Sequence, residues 1–276
     1  MTGYPGYFIS APWRSSGKTI FSIGLARAAK RRELSVQTFK KGPDFIDPLW
    51  LASASGASCY NLDPYIQQHN QWHSTFSNNM ESYSLALVEG TMGLHDGLQS
   101  DGSDSNANVA RALNLPVILV VDCRGMHRTV AALVNGILQF DTGVRFAGVV
   151  INRVRSSRHE GKIQSALQQY TDTALLGAIP ETGDVHIDEK QLGLTPVIEC
   201  AHTAACIDNA ADLVAESCDL DNLFLNFRIC KKAAPVNKST RKDQSGESQL
   251  TARRNRVKIG IARDDAFHFY LSLIHI

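Results

Sequence analysis

The sequence lacks several features that would point to a membrane, secreted or cysteine-based metal protein. No apolar run reaches 18 residues, the length at which a segment becomes a candidate bilayer-spanning helix. The N-terminus does not show the basic-then-apolar order of a secretory signal, so we expect a cytoplasmic protein with no membrane partner. The six cysteines are scattered, without a CxxC pair or histidines at zinc spacing, which predicts ordinary thiols.

The chain also lacks a large net charge, but its small balance of +1 is unevenly distributed. Residues 1–227 hold 17 basic and 23 acidic side chains, whereas residues 228–276 hold 11 basic and 4 acidic ones. The basic residues lie in a polar stretch without apolar periodicity, which predicts a linker over residues 228–256. No aromatic residue alternates with these charges, so we do not expect a nucleic-acid partner.

Apolar segments typical of buried strands alternate with segments of helical periodicity. Strands are predicted at 7–10, 35–39, 85–89, 117–122, 146–151 and 174–179, and helices near 19–31, 104–114, 127–140 and 158–169. Continuous apolar strands separated by helices indicate an α/β fold, in which a parallel sheet has helices on both faces. In such folds, ligands bind at the carboxyl ends of the strands.

The segment APWRSSGKT, residues 11–19, lies between the first predicted strand and the first predicted helix. Gly17 permits the close approach of a phosphate, Lys18 can reach β- and γ-phosphates, and the Thr19 hydroxyl can bind Mg²⁺. Pro12 replaces the usual first glycine, so this is a variant phosphate loop. The segment predicts a P-loop NTPase-like fold with ATP and Mg²⁺ as cofactors. The predicted nucleotide-binding residues here are Ser15, Ser16, Gly17, Lys18 and Thr19.

Two carboxylates at predicted strand ends are candidates for the magnesium site. Glu89 ends the strand LALVE, and a glycine-rich turn that permits close approach by a ligand follows it. Asp122 ends the strand VILVVD. Mg²⁺ prefers oxygen ligands and keeps several waters, so one or two carboxylates suffice. We favour Glu89 and keep Asp122 as the alternative.

The segment FKKGPDFIDP, residues 39–48, joins two lysines to two aspartates. Its two prolines and one glycine predict a fixed loop rather than a helix. Because the loop follows a strand, we expect it on the same edge of the sheet as the phosphate loop. Such charges suit a site at which an anionic substrate, a metal and ATP meet.

Taken together, these segments resemble the cobyrinic acid a,c-diamide synthase family, including its hydrogenobyrinic acid relatives. The phosphate loop alone is unspecific, whereas GPDFIDP, NLDPY and EGTMGLHDG in combination are specific. The matching segments occur in the family's order over roughly residues 5–200. They are APWRSSGKT, KKGPDFIDP, NLDPY (61–65), VEGTMGLHDG (88–97), VVDCRGMHRTVAAL (120–133), GVVINRV (148–154), LGAIP (176–180) and LGL (192–194).

The resemblance implies a dethiobiotin-synthetase-like ATP-binding domain, residues 1–227, followed by a glutaminase domain. Enzymes of this family use ATP and Mg²⁺ to activate the c and then the a carboxylate of a corrin acid during cobalamin biosynthesis. Ammonia from glutamine then displaces phosphate and forms the amide. Residues 257–276 resemble the opening of the glutaminase domain, but the final LSLIHI departs from the family pattern. We therefore expect that domain to be truncated here.

The resemblance also implies roles for individual residues. Lys18 and Thr19 bind phosphate and Mg²⁺, and Glu89 and Asp44 lie at the metal. Asn152, at the end of GVVIN, meets the adenine.

For the reaction itself, the resemblance implies three catalytic residues, of which Lys18 is one. Lys40 faces phosphate or the substrate carboxylate, and Asp47 lies with the NLDPY loop towards the corrin. Cys123 follows a strand near His127, but it belongs to the ATP domain, so we do not expect it to act as a glutaminase nucleophile. The polypeptide is therefore expected not to hydrolyse glutamine.

Several alternatives stay open at this point. Cobyric acid synthase and nickel-sirohydrochlorin a,c-diamide synthase share the domain plan. Dethiobiotin synthetase itself is disfavoured by GPDFIDP and by the partial second domain. A dimeric partitioning-type ATPase switch is disfavoured because Pro12, Trp13 and Arg14 replace its additional lysine, although Arg14 keeps it open. A fragment that binds ATP without turnover is the last alternative, and a homodimer is also left open.

Overall fold

The computed structural model describes most of the first 230 residues. The described residues are 4–80, 83–183, 187, 189–190, 193–230, 260, 262, 264 and 270. The predicted linker 228–256 and the predicted glutaminase start 257–276 lie mostly outside them. The domain boundaries therefore stay predictions.

Within the described residues, seven strands form one sheet with helices on both faces. The strands are β1 (Gly6–Ser10), β2 (Val36–Lys41), β3 (Tyr60–Leu62), β4 (Leu85–Glu89), β5 (Val117–Asp122), β6 (Phe146–Val154) and β7 (Leu175–Pro180). The helices are α1 (Lys18–Arg31), α2 (Asp47–Ser55), α3 (His69–Met80), α4 (Asn106–Ala112), α5 (Thr129–Phe140), α6 (Ser157–Tyr170), α7 (Thr203–Ser217) and α8 (Leu220–Cys230). A small antiparallel hairpin, β8 (Glu189–Lys190) and β9 (Gly193–Leu194), follows β7.

The strand order is β3-β2-β4-β1-β5-β6-β7, and each neighbouring pair is parallel. The chain runs from the central β1 outwards to β2 and β3, returns to β4, and then continues on the other side through β5. Ligands of such sheets bind outside the carboxyl ends of the strands, near the point where the strand order reverses. The segments that follow β1, β2 and β4 meet at this point.

The two faces of the sheet have separate apolar cores. Successive strand residues point to opposite faces, so Ile9 packs with α1, α2, α7 and α8, whereas Phe8 packs with α3, α4, α5 and α6. Lys40 is directly opposite Glu89 in the pairing of β2 with β4. By the same alternation, both residues lie on the α1 face and Lys41 on the other.

The six predicted strands are confirmed, with their ends within three residues of the prediction, and the four predicted helices correspond to α1, α4, α5 and α6. β3, with only three residues, was not predicted, and neither were α3, α7 and α8. The prediction of a loop throughout residues 39–48 is wrong at both ends, because β2 continues to Lys41 and α2 begins before residue 48. Helix α2 begins at Asp47, and Pro48 lies in its first turn, where the missing N–H removes no helical hydrogen bond.

Two expectations from composition can be compared with the described residues. None of the helices there combines the length and the apolarity that crossing a bilayer requires. Five cysteines are described with their side chains, and all five are free thiols. They are Cys59, Cys123, Cys200, Cys206 and Cys218.

Helix α7 packs closely against α1 at Gly24. A Cβ atom on Gly24 would lie 2.3 Å from the carbonyl oxygen of Ala210 and 2.6 Å from Cγ2 of Val214. Arg27 donates a 2.8 Å hydrogen bond to Asp208 beside this contact. That ion pair is partly exposed and contributes little to stability. The missing side chain at residue 24 therefore sets the separation of the two helices.

We expect Gly24→Ala to lower the free energy of unfolding by about 1–3 kcal/mol, because the added methyl group overlaps the α7 backbone. Gly161→Ala in α6 is the matched control, since no atom lies within 4 Å of an added Cβ there. That variant should gain about 0.5–1 kcal/mol, because alanine loses less conformational entropy in a helix. Urea unfolding measures both changes, and a gain for Gly24→Ala would contradict the described packing.

Candidate functional site

Residues 11–17, the phosphate loop, connect β1 to α1 through strained backbone. Ser15 has a φ of 60° and Gly17 a φ of 94°, and both values are left-handed. Gly17 immediately precedes α1, so the unpaired N–H groups of the first helical turn lie at the loop, where they can bind an anion. A Cβ atom on Gly17 would lie 2.1 Å from Nδ2 of Asn152, so a larger residue would displace that side chain as well as strain the left-handed backbone.

The Lys18 ammonium lies between this loop and the segment after β4. Its Nζ atom donates to the carbonyl oxygens of Trp13 at 3.3 Å and Met92 at 2.9 Å. Burial lowers the pKa of Lys18 to about 8, against the opposing effect of the Glu89 carboxylate. The side chain is therefore held at the carboxyl end of the central strands.

Five side chains, which we call the charge cluster, meet beside α1: Thr19, Lys40, Asp44, Asp47 and Glu89. The Thr19 hydroxyl donates to Oε1 of Glu89 at 2.8 Å and to Oδ2 of Asp47 at 3.4 Å. Lys40 Nζ lies 2.5 Å from the same Asp47 oxygen and 2.7 Å from the same Glu89 oxygen. Asp44 Oδ2 is farther from Lys40 Nζ, at 3.8 Å.

Burial and mutual charge set the protonation of this cluster. Burial raises the pKa of Glu89 above its ordinary value, although Lys40 opposes the change. Burial acts against the charge of Lys40, but Asp47 and Glu89 outweigh it and raise the pKa of that lysine. The pKa of Asp47 is lowered, because the nearby Lys40 ammonium overcomes the effect of burial. The lysine therefore stays charged.

The cluster has the chemistry that a hard divalent cation requires. Three carboxylates share the single ammonium of Lys40, and Oε2 of Glu89 is buried without a hydrogen-bond partner in the described part of the chain. No group of three or more His, Cys, Asp or Glu side chains among the described residues is already arranged around a common metal position. Mg²⁺, however, needs only one or two carboxylates beside phosphate and water oxygens. The residues therefore fit a magnesium ion.

Asp44 lies at the edge of this cluster. Its Oδ1 atom accepts hydrogen bonds from the backbone N–H groups of Ile46 at 2.9 Å and Asp47 at 3.0 Å. These bonds support the chain just where α2 begins. Asp47, for which the resemblance implied a place towards the corrin, lies 3.4 Å from the Thr19 hydroxyl. Direct metal binding by Asp44 stays a prediction.

Asp122, the alternative metal ligand, is occupied by arginines. Its Oδ2 atom lies 2.8 Å from Nη2 of Arg124 and 2.6 Å from Nη1 of Arg153. Burial opposes its charge, but these arginines hold the pKa of Asp122 below its ordinary value. Glu89, in contrast, contacts Thr19 directly. The geometry therefore favours Glu89 over Asp122.

The end of β6 supports the phosphate loop. Asn152 Nδ2 donates to the carbonyl oxygen of Ser16 at 2.8 Å, and Arg153 Nη1 donates to that of Ser15 at 2.8 Å. Arg153 has a left-handed φ of 60°. Sequence analysis missed this arginine because its contacts with Ser15 and Asp122 are tertiary. Asn152 lies at the loop, and its predicted contact with adenine stays a prediction.

The glycine turn, residues 90–97, packs against the opposite side of the phosphate loop. A Cβ atom on Gly93 would lie 2.5 Å from the carbonyl oxygen of Pro12. Asn106 Nδ2 donates to the carbonyl oxygen of Gly93 at 2.8 Å. Gly93 therefore permits close approach by the phosphate loop itself. Asn106, at the start of α4, carries no motif signal and was not predicted.

Cys123 does not have the properties of a nucleophile. Its side chain is fully buried, and its thiol donates to the carbonyl oxygen of Val121 at 3.3 Å. Burial raises the pKa of this thiol to about 12. Because the thiolate is the reactive form, Cys123 is inert at neutral pH.

Comparisons with known proteins bear on this site. The family model described as "CobQ/CobB/MinD/ParA nucleotide binding domain" matches residues 15–193. A cobyrinate a,c-diamide synthase from Magnetococcus marinus is 39% identical over 96% of this chain and 56% of its own length. One from Picrophilus torridus is 38% identical over 95% of this chain and 57% of its own length. A hydrogenobyrinate a,c-diamide synthase from Brucella anthropi is 39% identical over 96% of this chain and 58% of its own length.

The chain thus spans a little over half the length of these curated relatives. Among solved structures, a chloroplast FtsY from Physcomitrella patens is 14% identical, with a TM-score of 0.47 over 75% of this chain and 65% of that chain. We draw no conclusion about fold or function from a similarity at that level.

The comparisons confirm the predicted resemblance and, with the observed sheet, the predicted P-loop NTPase-like α/β fold class. The match to the family model covers the end of the phosphate loop, the charge cluster and the end of β6. The chain therefore belongs to the CobQ/CobB/MinD/ParA nucleotide binding domain family.

Proposed function

We propose that this chain is the ATP- and Mg²⁺-dependent unit that amidates the a and c carboxylates of cobyrinic or hydrogenobyrinic acid in cobalamin biosynthesis. The main support is that four side chains lie close together at the carboxyl edge of the sheet. They are Lys18, Thr19, Lys40 and Glu89. Relatives similar over 96% of the chain carry the names cobyrinate and hydrogenobyrinate a,c-diamide synthase. The proposal includes a cytoplasmic location.

The proposed reaction needs positioning and charge more than a protein nucleophile. A carboxylate oxygen of the corrin acid attacks the γ-phosphorus of ATP, and ADP leaves. Ammonia then attacks the carbonyl carbon of the acyl phosphate. The carbon–oxygen bond to the phosphate breaks, and inorganic phosphate leaves with the proton that nitrogen loses. Catalysis of such steps rests on alignment and on stabilisation of developing negative charge.

The nucleotide roles follow from the phosphate loop and the end of β6. The backbone of Ser15, Ser16 and Gly17 holds the phosphates, and Lys18 neutralises the β- and γ-phosphate oxygens. Asn152 holds the loop through Ser16 and borders the adenine. Arg153 holds the neighbouring residue Ser15 in the same way.

Thr19 and Glu89 hold the magnesium ion in this proposal, with Asp44 nearby as the second carboxylate. Asp47 is an alternative to Asp44 as the second carboxylate ligand, because its Oδ2 atom lies 3.4 Å from the Thr19 hydroxyl. When bound, Mg²⁺ supplies neutralisation of phosphate charge. The protein side chains orient the phosphates and exclude water from the cluster.

Lys40 and Asp47 act on the acid substrate. Lys40 neutralises the incoming carboxylate, and Asp47 orients Lys40 through their 2.5 Å contact. The NLDPY loop lies next to them, since Asn61 Nδ2 donates to the carbonyl oxygen of Asp44 at 2.6 Å. Tyr65 and Ile66 in and beside that loop are 60% and 55% exposed, and such apolar side chains suit a macrocycle.

Ammonia comes from outside the ATP domain in this proposal. No glutaminase nucleophile is proposed within residues 1–227, and the buried thiol of Cys123 supports this. The glutaminase domain is proposed to begin near residue 257, after the linker 228–256. The relatives reported above are named as synthases, and a partitioning-type switch is the second candidate. Homodimerisation stays open.

Amide formation is the direct test. With ATP, Mg²⁺ and ammonium, we expect the 276-residue chain to convert cobyrinic or hydrogenobyrinic acid to the amide, with one ADP and one phosphate per amide. Glutamine in place of ammonium should give no product. Mass spectrometry of the two acids, tested in parallel, measures the outcome. Phosphate release without any amide would favour the switch instead.

Lys18→Ala should lower turnover at least about a hundredfold, because the phosphate charge loses its main protein partner. The matched control is Lys30→Ala, since Lys30 is an exposed lysine near the other end of α1. That variant should keep full turnover. Circular dichroism would verify that both variants fold, and equal rates for the two would show that the loop is not a phosphate site.

Glu89→Gln should weaken Mg²⁺ binding in the presence of ATP by more than about tenfold, because a neutral amide replaces a buried carboxylate ligand. Asp122→Asn is the matched control at the end of β5, where arginines already neutralise the carboxylate. Its Mg²⁺ affinity should be nearly unchanged. Isothermal titration measures both, and the reverse order would move the metal site to Asp122.

A further inference from the structure

The ammonium of Lys40 lies where the preceding section proposes a metal ion. Lys40 and Glu89 are direct neighbours on β2 and β4, so their contact is built into the register of the sheet. Their side chains are 3% and 1% exposed. Water cannot take the place of either partner, and the pair is fixed by the fold rather than by a mobile surface.

The same oxygens have the spacing of a magnesium site. Neighbouring ligand oxygens around Mg²⁺ lie about 3 Å apart, since each is 2.0–2.1 Å from the ion at right angles. Thr19 Oγ1 and Glu89 Oε1 are 2.8 Å apart. Asp47 Oδ2 lies 3.4 Å from the Thr19 hydroxyl. The Thr19 hydroxyl oxygen therefore lies near that spacing from two carboxylate oxygens.

Lys40 uses two of those three oxygens. Its Nζ atom is 2.5 Å from Asp47 Oδ2 and 2.7 Å from Glu89 Oε1. A divalent ion bound to these oxygens would lie within a few ångströms of the ammonium, and both would compete for the same lone pairs. Like charges at such a distance repel strongly away from water.

The geometry points to an exchange of cations: the Lys40 ammonium lies at the cation position, and Mg²⁺ displaces this ammonium when it binds. The displaced ammonium then becomes available to the carboxylate of the acid substrate. This inference rests on the proposed function for the identity of the ion and of the substrate. It adds an order of events, in which the metal binds before the acid.

Metal binding without nucleotide tests the exchange. Mn²⁺ serves as the probe, and electron paramagnetic resonance of free Mn²⁺ measures its affinity for the 276-residue chain. Lys40→Met removes the competing ammonium and should tighten Mn²⁺ binding by at least about tenfold. Lys41→Met is the matched control, because it removes the same charge one residue away on the opposite face. We expect less than about a twofold change there.

An equal affinity for Lys40→Met and the unaltered chain would overturn the exchange. A Glu89→Gln variant distinguishes a failure of the exchange from a failure of the proposed function. If Glu89→Gln abolishes Mn²⁺ binding while Lys40→Met changes nothing, the metal site stands and only the exchange is lost. If Glu89→Gln leaves Mn²⁺ affinity unchanged both with and without ATP, the exchange and the proposed metal site are both overturned.

A second measurement uses the unaltered chain, because Lys40→Met leaves three carboxylates without their lysine and can fail to fold. Nuclear magnetic resonance of ¹⁵N-lysine ammonium groups detects Lys40, and its signal is assigned by its absence in Lys40→Arg. Adding Mg²⁺ with a non-hydrolysable ATP analogue should shift this signal and speed its proton exchange with water. An unchanged Lys40 signal at saturating metal would overturn the exchange.

Discussion

The site depends on one constraint, which is that the buried charges of neighbouring strands must meet each other. Lys40 and Glu89 are opposite one another in the β2–β4 register, and both are almost fully buried. A slip of one residue would turn every β2 side chain to the other face of the sheet. Glu89 would then lose its lysine, and an unpaired buried charge costs about 3–5 kcal/mol. The charge pair thus fixes the register, and the register fixes where α1 and α2 bring Thr19 and Asp47.

The phosphate loop lacks its usual first glycine and is held from two sides instead. Arg153 and Asn152, at the end of β6, bind the carbonyl oxygens of two successive loop residues. On the other side, Gly93 permits the glycine turn to approach within contact of Pro12. Strained backbone persists only where its surroundings determine it. The left-handed Ser15 is therefore a consequence of these supports, and the loop keeps a form that can accept phosphate without first having to order itself.

The sequence predicted those parts whose signals are local. Long apolar runs predicted six strands, and motifs at the ends of three of these predicted strands pointed to Thr19, Lys40 and Glu89, which the structure brings together in the charge cluster. β3 could not be found, because its three residues become a strand only by pairing with β2. Helix α2 begins where the side chain of Asp44 accepts hydrogen bonds from two backbone N–H groups. The two prolines of this segment had instead indicated a loop. Arg153 supports the phosphate loop although it is far from it in the sequence, and such a contact leaves no local sequence pattern.

The charge of the cluster also bears on how an acid can approach it. Lys40 is already paired with Asp47 and Glu89, so it is not free to receive a further carboxylate. In the proposed exchange, a divalent ion would release the lysine from these partners. In the proposed function, the exposed Tyr65 and Ile66, in and beside the NLDPY loop, hold the macrocycle by apolar contact, and Lys40 receives its carboxylate after that change. In the proposed function, binding the bulk of the substrate is therefore the task of the NLDPY loop, and activating its acid group is the separate task of the charge cluster.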